Sequence, residues 1–129
     1  MLIDENMLDT LSGKARTSER LRMNLNFHSG AESKSQRLLN ALEVGTVVPQ
    51  HRHRATGETY IVLRGALNVF FHDEQGEISA TFLLNPQEGV YGVDIPQGQW
   101  HSLEVLEQGT TIFEVKDGPY TPLCGEDIR

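Results

Sequence analysis

From Thr46 onward, turn residues recur at intervals of about ten residues, a spacing that admits short strands and little else. Asp73-Glu74-Gln75-Gly76 separates Ala66–His72 from Glu77–Leu84, a hairpin signal. Asn85–Gly89 leads into Val90–Ile95, Pro96-Gln97-Gly98 into Trp100–Val105, and Glu107-Gln108-Gly109 into Thr110–Val115. Such a pattern predicts an all-β barrel or sandwich. No segment repeats, and no linker interrupts the pattern. A chain of 129 residues is sized for one domain with one continuous core.

The beginning of the chain reads differently. Met7, Leu8, Leu11 and Ala15 fall at helical spacing, with Asp4 placed to cap. Residues 1–20 are therefore expected to form a short helix packed on the outside of a barrel spanning 21–129. The period then changes to two in Arg22–Phe27, a half-buried strand. Gln36–Glu43 reads as another strand.

Charge and composition exclude several function classes. Eleven basic against eighteen acidic residues give −7, which repels nucleic-acid phosphates and anionic lipid heads. No apolar run is long enough to span a membrane. The acidic start, MLIDENMLDT, is unlike a secretory signal, and the single cysteine, Cys124, has no internal partner. A cytoplasmic protein is the expectation.

The chemistry concentrates in one stretch. His51 and His53 are two apart on a strand and share a face. Glu58 follows the Ala55-Thr56-Gly57 turn and can fold back to meet them. His101, delivered by Pro96-Gln97-Gly98, is a fourth candidate, expected to face the His51 strand across the interior. Already the two imidazoles of His51 and His53 with the Glu58 carboxylate suit a divalent transition metal: iron, manganese, zinc, nickel or cobalt. Calcium and magnesium prefer all-oxygen shells. Clustered imidazoles and a carboxylate inside a barrel are costly to bury without a compensating cation or hydrogen bonds.

Gly45, His51, His53, Glu58 and Gly65 stand at the spacing of the first cupin motif, with the longer four-residue gap before the glutamate. Pro96, Gly98 and His101 match the second motif in part; its leading glycine is displaced, and Val105 replaces its closing asparagine. The chain thus resembles the cupin superfamily, which implies a double-stranded β-helix, or jelly-roll barrel, with a metal on His51, His53, Glu58 and His101. RLRMNLNFH, QRLLNALEVGT, HRHRATGETYIVLRG, EGVYGVDIPQGQWH and FEVKDGPYTP together are similar to the WbuC-type cupin metalloproteins of bacteria. That narrower resemblance implies a link to surface-polysaccharide (O-antigen) metabolism. The chain departs from the family's usual aromatic, proline-containing tail at Cys124–Arg129.

Four ligands would leave about two octahedral positions open, as catalytic sites do. Sugar isomerisation or epimerisation, oxygenation and metal-assisted hydrolysis all stay open, as does a non-catalytic, metal-dependent binding protein. Glu58 and Tyr60 are the catalytic candidates; Tyr60 shares the Glu58 face and either orients a substrate or forms a pocket wall. The expected ligand is small, polar and oxygen-rich, a sugar or a keto or hydroxy acid, since only nine residues are aromatic.

Other polar residues carry weaker expectations. Glu114 and Lys116 are either a surface pair or a pocket floor. Asn24, Asn26 and Arg37 line the cavity or face water. His72 is expected in solvent, His28 at the end of its strand, and Trp100 in the core or an interface. Gln50 and Gln97 lie near enough in sequence to reach a bound ligand. Ile61 and Leu63 point away from the pocket and need a cover, either the N-terminal helix or the second subunit of a homodimer.

Overall fold

The computed structural model describes all 129 residues. Helix α1 (Glu5–Thr17) begins where Asp4 accepts a hydrogen bond from the Met7 N–H at 3.0 Å. Lys14 and Arg16 occupy its last turn, where they complement the helix dipole. Nine strands follow: β1 (Arg22–Asn26), β2 (Ser35–Leu42), β3 (Val48–His51), β4 (Glu58–Arg64), β5 (Leu67–His72), β6 (Ile78–Leu84), β7 (Gly92–Ile95), β8 (Trp100–Val105) and β9 (Thr110–Asp117). They form two antiparallel sheets, ordered β1-β2-β9-β4-β7 and β3-β8-β5-β6. This is the expected jelly-roll barrel with a short N-terminal helix. No helix is long and apolar enough to cross a membrane.

Two apolar clusters hold it together. The larger fills the barrel with Leu42, Tyr60, Val62, Leu67, Val69, Leu84, Ile95, Val105 and Ile112. The smaller lies on the outer face of the five-stranded sheet, where Leu8, Leu11 and Ala15 of α1 meet Leu39 and Ala41 of β2. Met23, Leu25 and Phe27 pack there too. The alternation of β1 is therefore inverted: its apolar side chains face the helix, and Asn24 and Asn26 face the cavity. Arg64 ties α1 to the barrel through Glu5, Asp9, Ser12 Oγ and the Gly109 carbonyl, at 2.7 to 3.1 Å.

The two glycines that bracket the first motif have backbone reasons. Gly45 and Gly65 lie at φ +98° and +87°, the left-handed region where a side chain is strained. A Cβ on Gly65 would also collide with Thr110.

Two expectations are corrected, and one open alternative is closed. β3 and β8 are hydrogen-bonded neighbours, with His51 opposite His101 in register, so the two histidines sit side by side rather than across the interior. His72 is buried, its Nε2 hydrogen-bonding Ser102 Oγ at 2.7 Å, because β5 pairs with β8 there. The helix does not cover Ile61 and Leu63, which stay 42% and 39% exposed; it packs on β1 and β2 instead.

Candidate metal centre

β3 ends on His51, and the chain runs extended through His53 to the turn before β4, where Glu58 is the first residue. His101 is the second residue of β8. One ligand atom from each of His51, His53, Glu58 and His101 lies within 4.8 Å of all the others. Glu58 Oε1 is 2.8 Å from His101 Nε2 and 3.6 Å from His53 Nε2. The His51 and His101 rings are 4.2 Å apart.

Two histidines are oriented from behind. The Pro49 carbonyl lies 3.0 Å from His51 Nδ1, and the Gln99 carbonyl 2.9 Å from His101 Nδ1. A carbonyl accepts only, so each Nδ1 carries a proton and each Nε2 is turned into the cluster, where that of His101 donates to Glu58 until a cation takes the place of its proton. This outer arrangement is the one that metal-ligating histidines use. Burial, followed by the charge of His101, lowers the His51 pKa to about 4. Burial lowers His53 as well. Burial alone would raise Glu58, but the hydrogen bond and charge of His101, with His53 and Lys116, hold it at about 2. Neutral imidazoles and an ionised carboxylate are the protonation states that a cation needs. The donor set, three nitrogens and one oxygen, fits a borderline divalent metal.

Tyr60 is buried beside the cluster and donates its hydroxyl to Glu58 Oε1 at 3.1 Å. Burial and the charges of Glu58 and Glu114 raise its pKa, so it stays a donor. Glu114 and Lys116 are walls of the cavity rather than a surface pair, since β9 places them opposite Tyr60 and Glu58. Burial and the charge of Glu58 push the Glu114 carboxyl up to about 7.

The cavity has a volume of about 460 Å³ and adjoins a polar groove of about 580 Å³. The two share Asn24, Glu58, Glu114, Lys116 and Tyr120. Asn26 and His28 line the groove, and Arg37, which supplies its backbone N–H to His28 Nδ1, has an exposed side chain. Gln50 is occupied elsewhere, by the Gly76 carbonyl and Arg129, and Gln97 is exposed.

Sequence reasoning missed Asn40 and the C-terminal tail. Asn40 Nδ2 donates to Glu114 at 3.3 Å, while its Oδ1 is buried without a partner. Inside a strand of mixed polarity, nothing marks that asparagine. The tail runs along β3, with Ile128 bridged to His51. Arg52 and Arg54, which alternate with the two histidines, hold Asp127 at 2.9 and 2.6 Å. Their alternation with ligand residues was the available signal. Trp100 is buried beneath this tail, with the Arg52 and Arg129 guanidinium groups over its ring at 4.7 and 3.9 Å.

The chain matches, over residues 3–84, a family described as a domain of unknown function, DUF6016. That span includes His51, His53 and Glu58 and ends before His101. No curated protein matches the sequence. Among solved structures, KdgF from Halomonas sp. superposes with a TM-score of 0.61 at 14% identity, covering 78% of this chain and 82% of its own. The capsular polysaccharide assembling protein CapF from Staphylococcus aureus superposes at 0.62 and 19% identity, over 87% of this chain but only 29% of its own. The cupin domain of Schizosaccharomyces pombe Cnp3 superposes at 0.61 and 11% identity, over 77% of this chain and 66% of its own. At these identities the likeness establishes the cupin fold.

Proposed function

The chain belongs to the DUF6016 family and has a cupin fold, and from that premise we propose that it is a small-molecule metalloenzyme whose divalent metal is held by His51, His53, Glu58 and His101. The observation that carries this reading is the convergence of the four ligand atoms, with two imidazoles turned inward by backbone carbonyls. A divalent transition metal bound there would supply Lewis acidity towards a substrate oxygen. Glu58 tunes that acidity as the one charged ligand. Tyr60 holds the Glu58 carboxylate in place. Glu114, whose carboxyl lies near neutrality, can hold or release a proton at the cavity wall.

The substrate is a sugar or a small keto or hydroxy acid, and the reaction an isomerisation, an epimerisation or an oxygenation. Two likenesses support a role in bacterial surface-polysaccharide metabolism: the WbuC-type segments of the sequence and the fold shared with CapF, whose name is that of a capsular polysaccharide assembling protein. The protein acts in the cytoplasm. It pairs as a homodimer over the uncovered outer face of β4, where Ile61 and Leu63 lie beside the exposed Val115 and Tyr91.

The test is elemental analysis of protein purified without added metal, with mass spectrometry of any molecule that accompanies it. About one metal per chain is expected, and a metal-free chain that takes up none on titration overturns the reading. Iron points to oxygenation; zinc or manganese points to isomerisation. Glu58→Gln is expected to lower turnover more than ligand affinity.

A further inference from the structure

Charge in the cavity runs against the charge of the chain. The protein carries −7 overall, yet Arg20, Arg22 and Lys116 all line the cavity that holds the ligand cluster. Arg22 is spoken for in part, donating to the Val47 carbonyl at 2.8 Å. Lys116 is not: it is paired with no carboxylate, and its ammonium lies 5.7 Å from the Tyr120 ring centroid. It stands opposite Glu58 in register, facing inward, where the metal cavity opens into the polar groove. A divalent cation there, together with Lys116, Arg20 and Arg22, outweighs the two carboxylates of the cavity, Glu58 and Glu114, and leaves a surplus of positive charge. Such a site is completed by an anion.

The groove indicates what that anion is attached to. Beyond Lys116 the walls carry amides and a hydroxyl, Asn24, Asn26 and Ser29 among them, with the Tyr120 ring on one side. Asn40 also lines the cavity, with its amide nitrogen on Glu114. Donors and acceptors at that density match a chain of hydroxyl groups and leave an apolar ligand unsatisfied.

Building on the proposed metal-dependent function, we infer that the ligand is a sugar acid, with its carboxylate on Lys116 beside the ligand cluster and its hydroxyls along Asn24 and Asn26. Lys116 is thus the residue that separates acidic from neutral sugars.

Calorimetric titration of the metal-loaded protein with D-galacturonate, D-galactose and glycolate tests this. Galacturonate is expected to bind about tenfold or more tighter than galactose, which lacks the charge. Glycolate, which lacks the hydroxyl chain, is expected to bind more weakly than galacturonate. Lys116→Met is expected to reduce galacturonate to the level of galactose with metal content unchanged, and Lys116→Arg to retain most of the affinity. Asn26→Leu is expected to weaken galacturonate and leave glycolate alone. Equal binding of galactose and galacturonate, or a Lys116→Met protein that binds galacturonate like the wild type, overturns the inference. A chain that takes up no metal overturns the metal-site reading beneath it, whatever the sugars do. A chain that holds one metal and ignores galacturonate overturns only the sugar-acid assignment.

Discussion

The two ends of the barrel interior are built from the same strands and have opposite chemistry. On β4, Glu58 and Tyr60 give way to Val62. On β9, Lys116 and Glu114 give way to Ile112, and on β8, His101 gives way to Leu103 and Val105. On β2, Gln36 and Asn40 give way to Leu42. One end is a close-packed aliphatic plug that holds its geometry without help. The other is a set of polar groups whose burial is costly until a cation and a ligand complete it. The plug supplies the rigidity that allows the four candidate ligands to wait in place, so the packed core and the candidate site are separated along each strand rather than between strands.

The largest test of this division is removal of the metal. A metal at a thousandfold excess over its dissociation constant stabilises the fold by about 4 kcal/mol. Chelation is therefore expected to lower the melting temperature sharply and leave a β-rich circular dichroism spectrum, because the plug survives. The double variant His51→Ala, His101→Ala is expected to show the same lowered stability with or without added metal. Metal retained at one equivalent in that variant would show the ligands to be elsewhere.

At the opposite end, Leu67→Ala empties a fully buried site and is expected to cost about 3 kcal/mol in denaturant titration. That loss should be the same in the metal-free and metal-loaded proteins. A loss that depends on metal would mean that the two ends are coupled.

Acidity separates the ends again, since only the polar one titrates. His51 is held at about 4, below its ordinary value of 6.5. Between those values the unfolded chain takes up a proton that the folded chain refuses, so this group destabilises the metal-free fold as pH falls through that window. Glu114, raised from 4.5 to about 7, has the opposite sign: the folded chain holds the extra proton, and the stability it contributes is lost as pH rises towards about 7. In metal-free melts, His51→Ala is expected to reduce the loss on acidification and Glu114→Gln to increase it. Leu67→Ala should shift the whole profile without changing its slope.

The smallest effect is expected at Asp4, outside the barrel. Asp4→Ala removes the cap of α1 and should cost about 1 kcal/mol. Metal affinity should not change, because α1 packs on the outer face of the sheet.

Local features of the sequence carried the elements and much of the candidate metal centre. Turn residues are local, so the hairpins and most strand limits could be read directly, and the helix announced itself by Asp4 and the Leu8–Leu11–Ala15 stripe. His51 and His53 share a face by the period of a strand, Glu58 follows one turn later, and the Pro96-Gln97-Gly98 turn marked His101. Tertiary structure decided the rest. Alternation identifies two faces of a strand but not which one is inside, so β1 could be read with its polarity reversed until α1 was seen to cover Met23 and Leu25. The same ambiguity left Glu114 and Lys116 between surface and cavity until pairing with β4 turned them inward. Strand adjacency put His101 beside His51 and buried His72 against β8. Asn40 and Asp127 meet their partners across 74 and 73 residues of chain, and such contacts follow from how strands pair and where the tail returns, which no local periodicity encodes.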